Sequence, residues 1–399
     1  MAGTVFKFKV NNHSGAVLIL GLAVVSLALI SFWPGKFGTS AKPGSTSCQN
    51  ISGSEKQQCW DETMSQTIKS AGLEAAFDLL GDLYTADPEY VAKGCHWNAH
   101  QIGEAAYHLF TNGQDLAISP KSAYCGYGFY HGFMGLLLRN DSDLSKARHF
   151  CDKVGRTLSE KAPISRLNCY HGIGHGLIED PPDPKTWGKP QAMLDPALKI
   201  CEQVSDREEE IKDCSNGSFN AVVLFMENSQ YGLSLNKADP FWLCRDQRPI
   251  HKYNCYYETS QKLDYLGNFD IPTIGKIITG IKDQAMAEVA AHTALASLLQ
   301  HDIQGEDFTK YVTGCHSFSG QLRLECIRGA SGGFMAHGNP GEEYVKAIKF
   351  CQLNGLADDE RDVCYSNIIR TFKGSYTKDK VQSVCQGIDE RYRNYCRYD

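Results

Sequence analysis

The chain has 399 residues and a formal net charge of −6, from 40 basic and 46 acidic side chains. That mild acidic excess excludes a nucleic-acid footprint, which shows as a strong basic surplus or stripe. Its 16 cysteines contain no Cys-x-x-Cys, which excludes zinc ribbons, thioredoxin-like redox motifs and covalent haem attachment.

Residues 1–14 read as a short cytosolic N-terminus. From Gly15 to Trp33 nineteen residues carry no charge, about the length that crosses a bilayer core of roughly 30 Å as a helix. Lys7 and Lys9 precede the run and Phe32-Trp33 ends it, so 15–33 is expected to be a single-pass signal anchor, uncleaved because no small-residue cleavage site follows. Residues 34–47, rich in Gly, Ser, Thr and Lys, have the composition of a flexible linker.

The cysteines then fall into short consecutive pairs. Cys48 and Cys59, Cys201 and Cys214, Cys244 and Cys255, Cys315 and Cys326, Cys351 and Cys364, and Cys385 and Cys396 are eleven or thirteen residues apart. Cys151 and Cys169 are eighteen apart, and Cys95 and Cys125 thirty. An even count in this pattern predicts eight local disulfides and an oxidising compartment outside the cytosol: periplasm, cell surface or secretory lumen.

The first cysteine of a pair closes an apolar stretch, as in Ala147-Arg148-His149-Phe150-Cys151, and the second opens another. Apolar residues recur at three- and four-residue intervals in Leu73–Leu80 and Ala285–Leu299, the helical period. Successive second cysteines Cys125, Cys169, Cys214 and Cys255 stand 44, 45 and 41 residues apart. Periods near forty belong to stacked αα-hairpins. The expected fold is all-α, with disulfide-stapled αα-hairpin repeats forming a solenoid or a closed α/α toroid. Residues 48–262 form its histidine-rich part and 263–399 its plainer C-terminal part. This resembles the architecture of tetratricopeptide-related repeats in secreted cysteine-rich bacterial proteins, most clearly from Tyr344 to Cys396, and that likeness implies no activity. A basic residue stands three before many second cysteines (Lys56, Arg166, Lys252, Arg323, Arg361, Arg393) and an aromatic often follows the cysteine. A cation near a helix N-terminus is electrostatically unfavourable, so spacing alone does not explain it.

Seven of the 13 histidines lie between His96 and His175. Two sets share one pattern, His96-x3-His100-x3-Glu104 and His171-x3-His175-x3-Glu179. At that spacing two imidazoles share a helix face and can chelate one ion, and a carboxylate one turn on can ligate or orient a ligand. His131 stands six residues after Cys125 as His175 does after Cys169; Asn220 and Gln261 hold the same register after Cys214 and Cys255. The row His100, His131, His175, Asn220, Gln261 is therefore a candidate binding groove. Helix axes roughly 8 to 10 Å apart are expected to keep His100 from His175 unless the array curves tightly.

Cys169-Tyr-His171-Gly172 and His131-Gly132-Phe-Met-Gly135 resemble short words of the lanthionine cyclase-like proteins, α/α toroids with a zinc held by two cysteines and a histidine. That resemblance implies a free Cys169 thiolate, whereas its spacing predicts a bond to Cys151.

Two functions follow from the residues. One is a membrane-anchored recognition scaffold for a peptide or protein, with His131, Asn220 and Gln261 among its binding residues. The alternative is a metalloprotein or metal-dependent enzyme sited in 95–180. There His96, His100, His131, His171, His175 and Glu179 hold a divalent transition metal (zinc, iron or copper), with Glu104 or Glu179 as the catalytic candidates. Packing and hydrogen bonding are the structural role open to the same histidines.

Overall fold

The computed structural model describes residues 48–141, 143–179, 183–339 and 341–398. The expected cytosolic segment, anchor and linker (1–47) lie outside the described residues. Among the described residues the chain is all-helical, and no helix is long and apolar enough to cross a membrane.

One series of helices packs side by side in chain order: α1 (Gly53–Ala86), α2 (Cys95–Thr111), α3 (Gly128–Asn140), α4 (Ser165–Glu179), α5 (Glu208–Glu227), α6 (Pro249–Ser260), α7 (Gln284–Gln300), α8 (Gly320–His337) and α9 (Asp358–Ser375). Other helices connect them and carry several of the first cysteines: Leu144–Leu158 holds Cys151, Pro190–Val204 holds Cys201 and Tyr344–Cys351 holds Cys351.

Eight disulfides join the expected pairs. Cys48 is bonded to Cys59, Cys95 to Cys125, Cys151 to Cys169 and Cys201 to Cys214. Cys244 is bonded to Cys255, Cys315 to Cys326, Cys351 to Cys364 and Cys385 to Cys396. In the first pair Cys48 is buried while Cys59 is only partly so, because Cys59 lies in the opening turns of α1 at the edge of the core. Cys326 lies within α8 and is fully buried with its partner. Such bonds belong to an oxidising, extracytoplasmic environment. Because Cys169 is bonded to Cys151, the thiolate implied by the lanthionine cyclase-like words is absent.

Tertiary contacts account for the basic residue before several second cysteines. Arg166 Nε donates to Glu210 Oε1 at 2.6 Å, Arg323 pairs with Asp359 at 2.9 Å and Lys56 with Asp87 at 2.8 Å. Each acid caps or lies in the first turn of a following helix, where negative charge is favoured. The cation is thus neutralised by the next unit. Two of these cations also lie over the aromatic four residues on: Lys56 Nζ is 5.2 Å from the Trp60 ring and the Arg166 guanidinium 5.5 Å from that of Tyr170, within cation–π range. Arg361 and Arg393 instead donate to the carbonyls of Leu353 and Ile388.

Glycines set how closely α2 to α5 approach. A Cβ on Gly132 would stand 2.2 Å from the His100 carbonyl oxygen, and one on Gly217 would stand 1.9 Å from that of His171. Backbone meets backbone at these crossings, so no side chain can give way. Gly132→Ala is expected to destabilise the fold by about 2–4 kcal/mol, since overpacking and backbone displacement act together. The midpoint of chemical denaturation checks it; an unchanged midpoint would mean α2 and α3 are not in contact there.

Candidate metal centre

His96 and His100 stand at the start of α2, one turn apart. The loop before α3 orients the first of them. Cys125, Gly126 and Tyr127 all have positive φ, 55°, 65° and 67°, a conformation that costs non-glycine residues of order 1–3 kcal/mol each. It presents the Cys125 carbonyl to His96, whose Nδ1 lies 2.8 Å from it. A carbonyl only accepts, so Nδ1 carries the proton and Nε2 keeps its lone pair. That Nε2 is 3.1 Å from His100 Nε2, close to the edge of about 3.3 Å between two nitrogens bound tetrahedrally at roughly 2.0–2.1 Å.

His131 on α3 completes the group. Its ring centroid is 5.1 Å from that of His96 and 5.3 Å from that of His100, and ligand atoms of the three lie within 4.8 Å of one another. This trio can hold a metal ion. His175 on α4 stacks on His131 at 3.9 Å with 6° between planes, and its centroid is 6.1 Å from that of His100. The separation expected from ordinary helix packing is overturned, because the glycine crossings bring the backbones closer than side-chain ridges allow. Both ring nitrogens of His131 and of His175 are buried without a hydrogen-bond partner. An unpaired buried polar group costs about 1–3 kcal/mol, and imidazole nitrogens are ligands a borderline transition metal takes.

Electrostatics favour the neutral form of His96, His100, His131 and His171. Burial, then the neighbouring histidines, holds His100 and His131 well below the usual imidazole range. Although His96 is exposed, the protein crowding its ring lowers it too, and His171 is lowered to about 3 by burial and then by His175. Ligation therefore displaces no proton from them near neutral pH.

The remaining candidates divide. Glu179 Oε1 lies 3.3 Å from His175 Nδ1, outside hydrogen-bond geometry, and its carboxylate rests against Gly135. Glu104 is half-buried, its carboxyl raised by burial and then by Glu179. His171 faces His131 with centroids 5.0 Å apart, while its Nδ1 is 2.8 Å from Asn216 Oδ1. An amide oxygen only accepts, so Nδ1–H donates and Nε2 is left free. Asn220 and Gln261 do not meet the histidines. Their amides donate to Glu258 Oε2, each at 2.8 Å, and Asn216 Nδ2 donates to Oε1 at 2.6 Å. Glu258, Asn216 and Tyr127 (5.8 Å from the His171 ring) were not among the expected site residues. Asn216 was within reach of the same ruler, standing two after Cys214 as His171 stands two after Cys169.

Glu258 is 2% exposed and burial pushes its carboxyl up to about 7. Below the unfolded value of about 4.5 both states are protonated. Between there and about 7 only the unfolded chain releases its proton, so stability falls as pH rises. At 1.36 kcal/mol per pKa unit the loss is about 3 kcal/mol by pH 8. Glu258→Gln is expected to flatten that decline when denaturation midpoints at pH 5 and pH 8 are compared; an equal decline in both proteins would remove Glu258 as its source.

Comparison with protein families, with curated proteins and with solved structures returns no match, so the functional reading rests on the site's own chemistry.

Proposed function

We propose that this protein is an extracytoplasmic metalloprotein in which His96, His100 and His131 hold a divalent transition-metal ion: zinc, iron or copper. The observation that carries the reading is the convergence of three imidazoles within 4.8 Å. His171 and His175 are the adjoining imidazoles with nitrogens free to join or exchange as ligands. Glu179, whose Oε1 is 3.3 Å from His175 Nδ1, is the first candidate to orient that ring or to serve as a base, and Glu104 the second. The apolar run 15–33 would anchor the protein to the membrane, with the disulfide-bonded part on the oxidising side. We read the helix series as an αα-hairpin array curling towards an α/α toroid; supporting this, Tyr84 of α1 donates a hydrogen bond to the His337 carbonyl at the end of α8.

Elemental analysis of the purified full chain tests the metal reading. One equivalent of transition metal surviving exhaustive dialysis is expected; a chain that neither retains nor takes up zinc, iron or copper overturns it. Recognition of a peptide or protein is the second reading, favoured by the exposed aromatics Trp97, Tyr253, Tyr265 and Phe269.

A further inference from the structure

The cysteine register continues past the histidines and changes chemistry. Two residues after a second cysteine stand His171, Asn216, Tyr257 and Arg328; six after it stand His131, His175, Asn220, Gln261, Gly332 and Arg370. The positions that carry imidazoles on α3 and α4, and amides near Glu258, thus carry guanidiniums on α8 and α9.

Asn367 on α9 ties this second cluster together. Its Nδ2 donates to the Arg328 carbonyl at 3.0 Å and to Ser331 Oγ at 3.1 Å, while its Oδ1 accepts from Arg370 Nη2 at 2.9 Å. Gly332 lies between them and His292 of α7. A Cβ there would be 3.3 Å from Asn367 Nδ2 and 3.7 Å from His292 Nε2, so the glycine leaves room beside both. The local charge is unbalanced. Glu325 Oε2 lies 3.4 Å from Arg328 Nε and 3.8 Å from His292 Nδ1, and Arg328 Nε makes no hydrogen bond. Among the described residues no carboxylate is within ion-pair distance of Arg370, which is exposed. Burial, followed by the two guanidiniums, lowers His292 to about 4, as a positive local potential requires. Tyr253 is 48% exposed and stacked at 6.2 Å on Tyr257; crowding of its hydroxyl raises it, and Arg370 opposes that rise.

We propose that Arg328, Arg370 and His292 form a binding site for the carboxylate or phosphate group of a small ligand. Two guanidiniums beside a neutral imidazole supply charge-assisted donors in a fixed fork. The exposed Tyr253 ring offers an apolar face to the rest of such a molecule. This site does not depend on the metal reading.

Calorimetric titration of the full chain with inorganic phosphate and, separately, with succinate tests it. At least one anion is expected to bind, more weakly as salt rises, and the stronger of the two identifies the chemistry. Arg370→Gln and Arg328→Gln are each expected to weaken that binding at least about 10-fold, the loss of one charge-assisted pair. Lys349→Gln, on the helix Tyr344–Cys351, is expected to leave it unchanged. Binding of neither anion, or wild-type affinity in Arg370→Gln, overturns the proposal. Arg370 is exposed, so its variant decides the matter if Arg328→Gln fails to fold. Metal content measured on the same samples separates the two readings: metal absent with phosphate bound sinks the metal centre alone, and the reverse sinks the anion site alone.

Discussion

His131→Ala is expected to lower metal affinity by more than about 100-fold, the upper end of what even a supporting residue contributes at such a site. His131 is the one member of the trio that comes from α3, and it touches both of the others through rings 5.1 and 5.3 Å away. Without it the pair on α2 must find a third ligand on α4, where the His175 centroid is 6.1 Å from that of His100, against 5.3 Å for His131. The fold is expected to survive. Alanine leaves a cavity beside His175, but it also deletes two buried nitrogens that lack partners, and the two effects oppose each other. His149→Ala, on the exposed side of Leu144–Leu158, is the matched control and is expected to bind metal as the parent does. Equilibrium dialysis against zinc, followed by elemental analysis, reads both variants. Full stoichiometry in His131→Ala would remove the three-imidazole centre.

Reduction of the disulfides is expected to unfold the protein at concentrations of urea that leave the oxidised chain intact. Seven of the eight bonds close loops of eleven to eighteen residues. In the chain-entropy model each is worth roughly 3 kcal/mol, less where the unfolded chain keeps structure. Together they exceed the roughly 5–15 kcal/mol by which folded proteins are usually stable. Most of the bonds are also built into the core: Cys151, Cys169, Cys201, Cys214, Cys244, Cys255, Cys315, Cys326, Cys351 and Cys364 are fully buried. The bonds Cys48–Cys59 and Cys385–Cys396 are more accessible, through the partly buried Cys59 and Cys396, and are expected to be reduced ahead of these. Far-UV circular dichroism during urea titration, with and without thiol reductant, gives the two midpoints. Coincident midpoints would mean that helix packing alone carries the fold. The Cys95–Cys125 bond is the exception in role, because it ties the starts of α2 and α3, the helices that bring His96 and His100 to His131.

Legibility followed the range of the interaction. The disulfides could be read because all but one pair lie within eighteen residues of each other, and the helices because apolar spacing within a single segment declares them. The histidine sets were visible as i, i+4 pairs, and the cysteine register placed His131 and His175 at equivalent positions. Their convergence was not visible, since it depends on Gly132 meeting the His100 backbone and Gly217 that of His171. Gly128 and Gly132, like Gly172 and Gly176, stand four apart, a spacing that marks a close helix contact but not its partner. The tautomer of His96 was out of reach as well: Cys125 and Tyr127 adopt positive φ although their residue types do not favour it. Glu258 looked like any glutamate after a tyrosine pair until Asn216, Asn220 and Gln261 surrounded it.

The basic residue before the second cysteines shows the same division. In isolation it opposes the helix dipole, and its partners come from elsewhere: an acid on the following helix and a ring one turn on for Arg166, an acid for Arg323, carbonyls for Arg361 and Arg393. What the amino-acid sequence determined by itself was local: all-α structure, the disulfide pairs, an oxidising compartment and a register of polar side chains on successive helices. Tertiary structure decided which of those side chains meet. Metal chelation needs nitrogens a few ångströms apart, and residues 31 to 75 positions distant, such as His100, His131 and His175, reach that separation only where glycine backbones let whole helices touch.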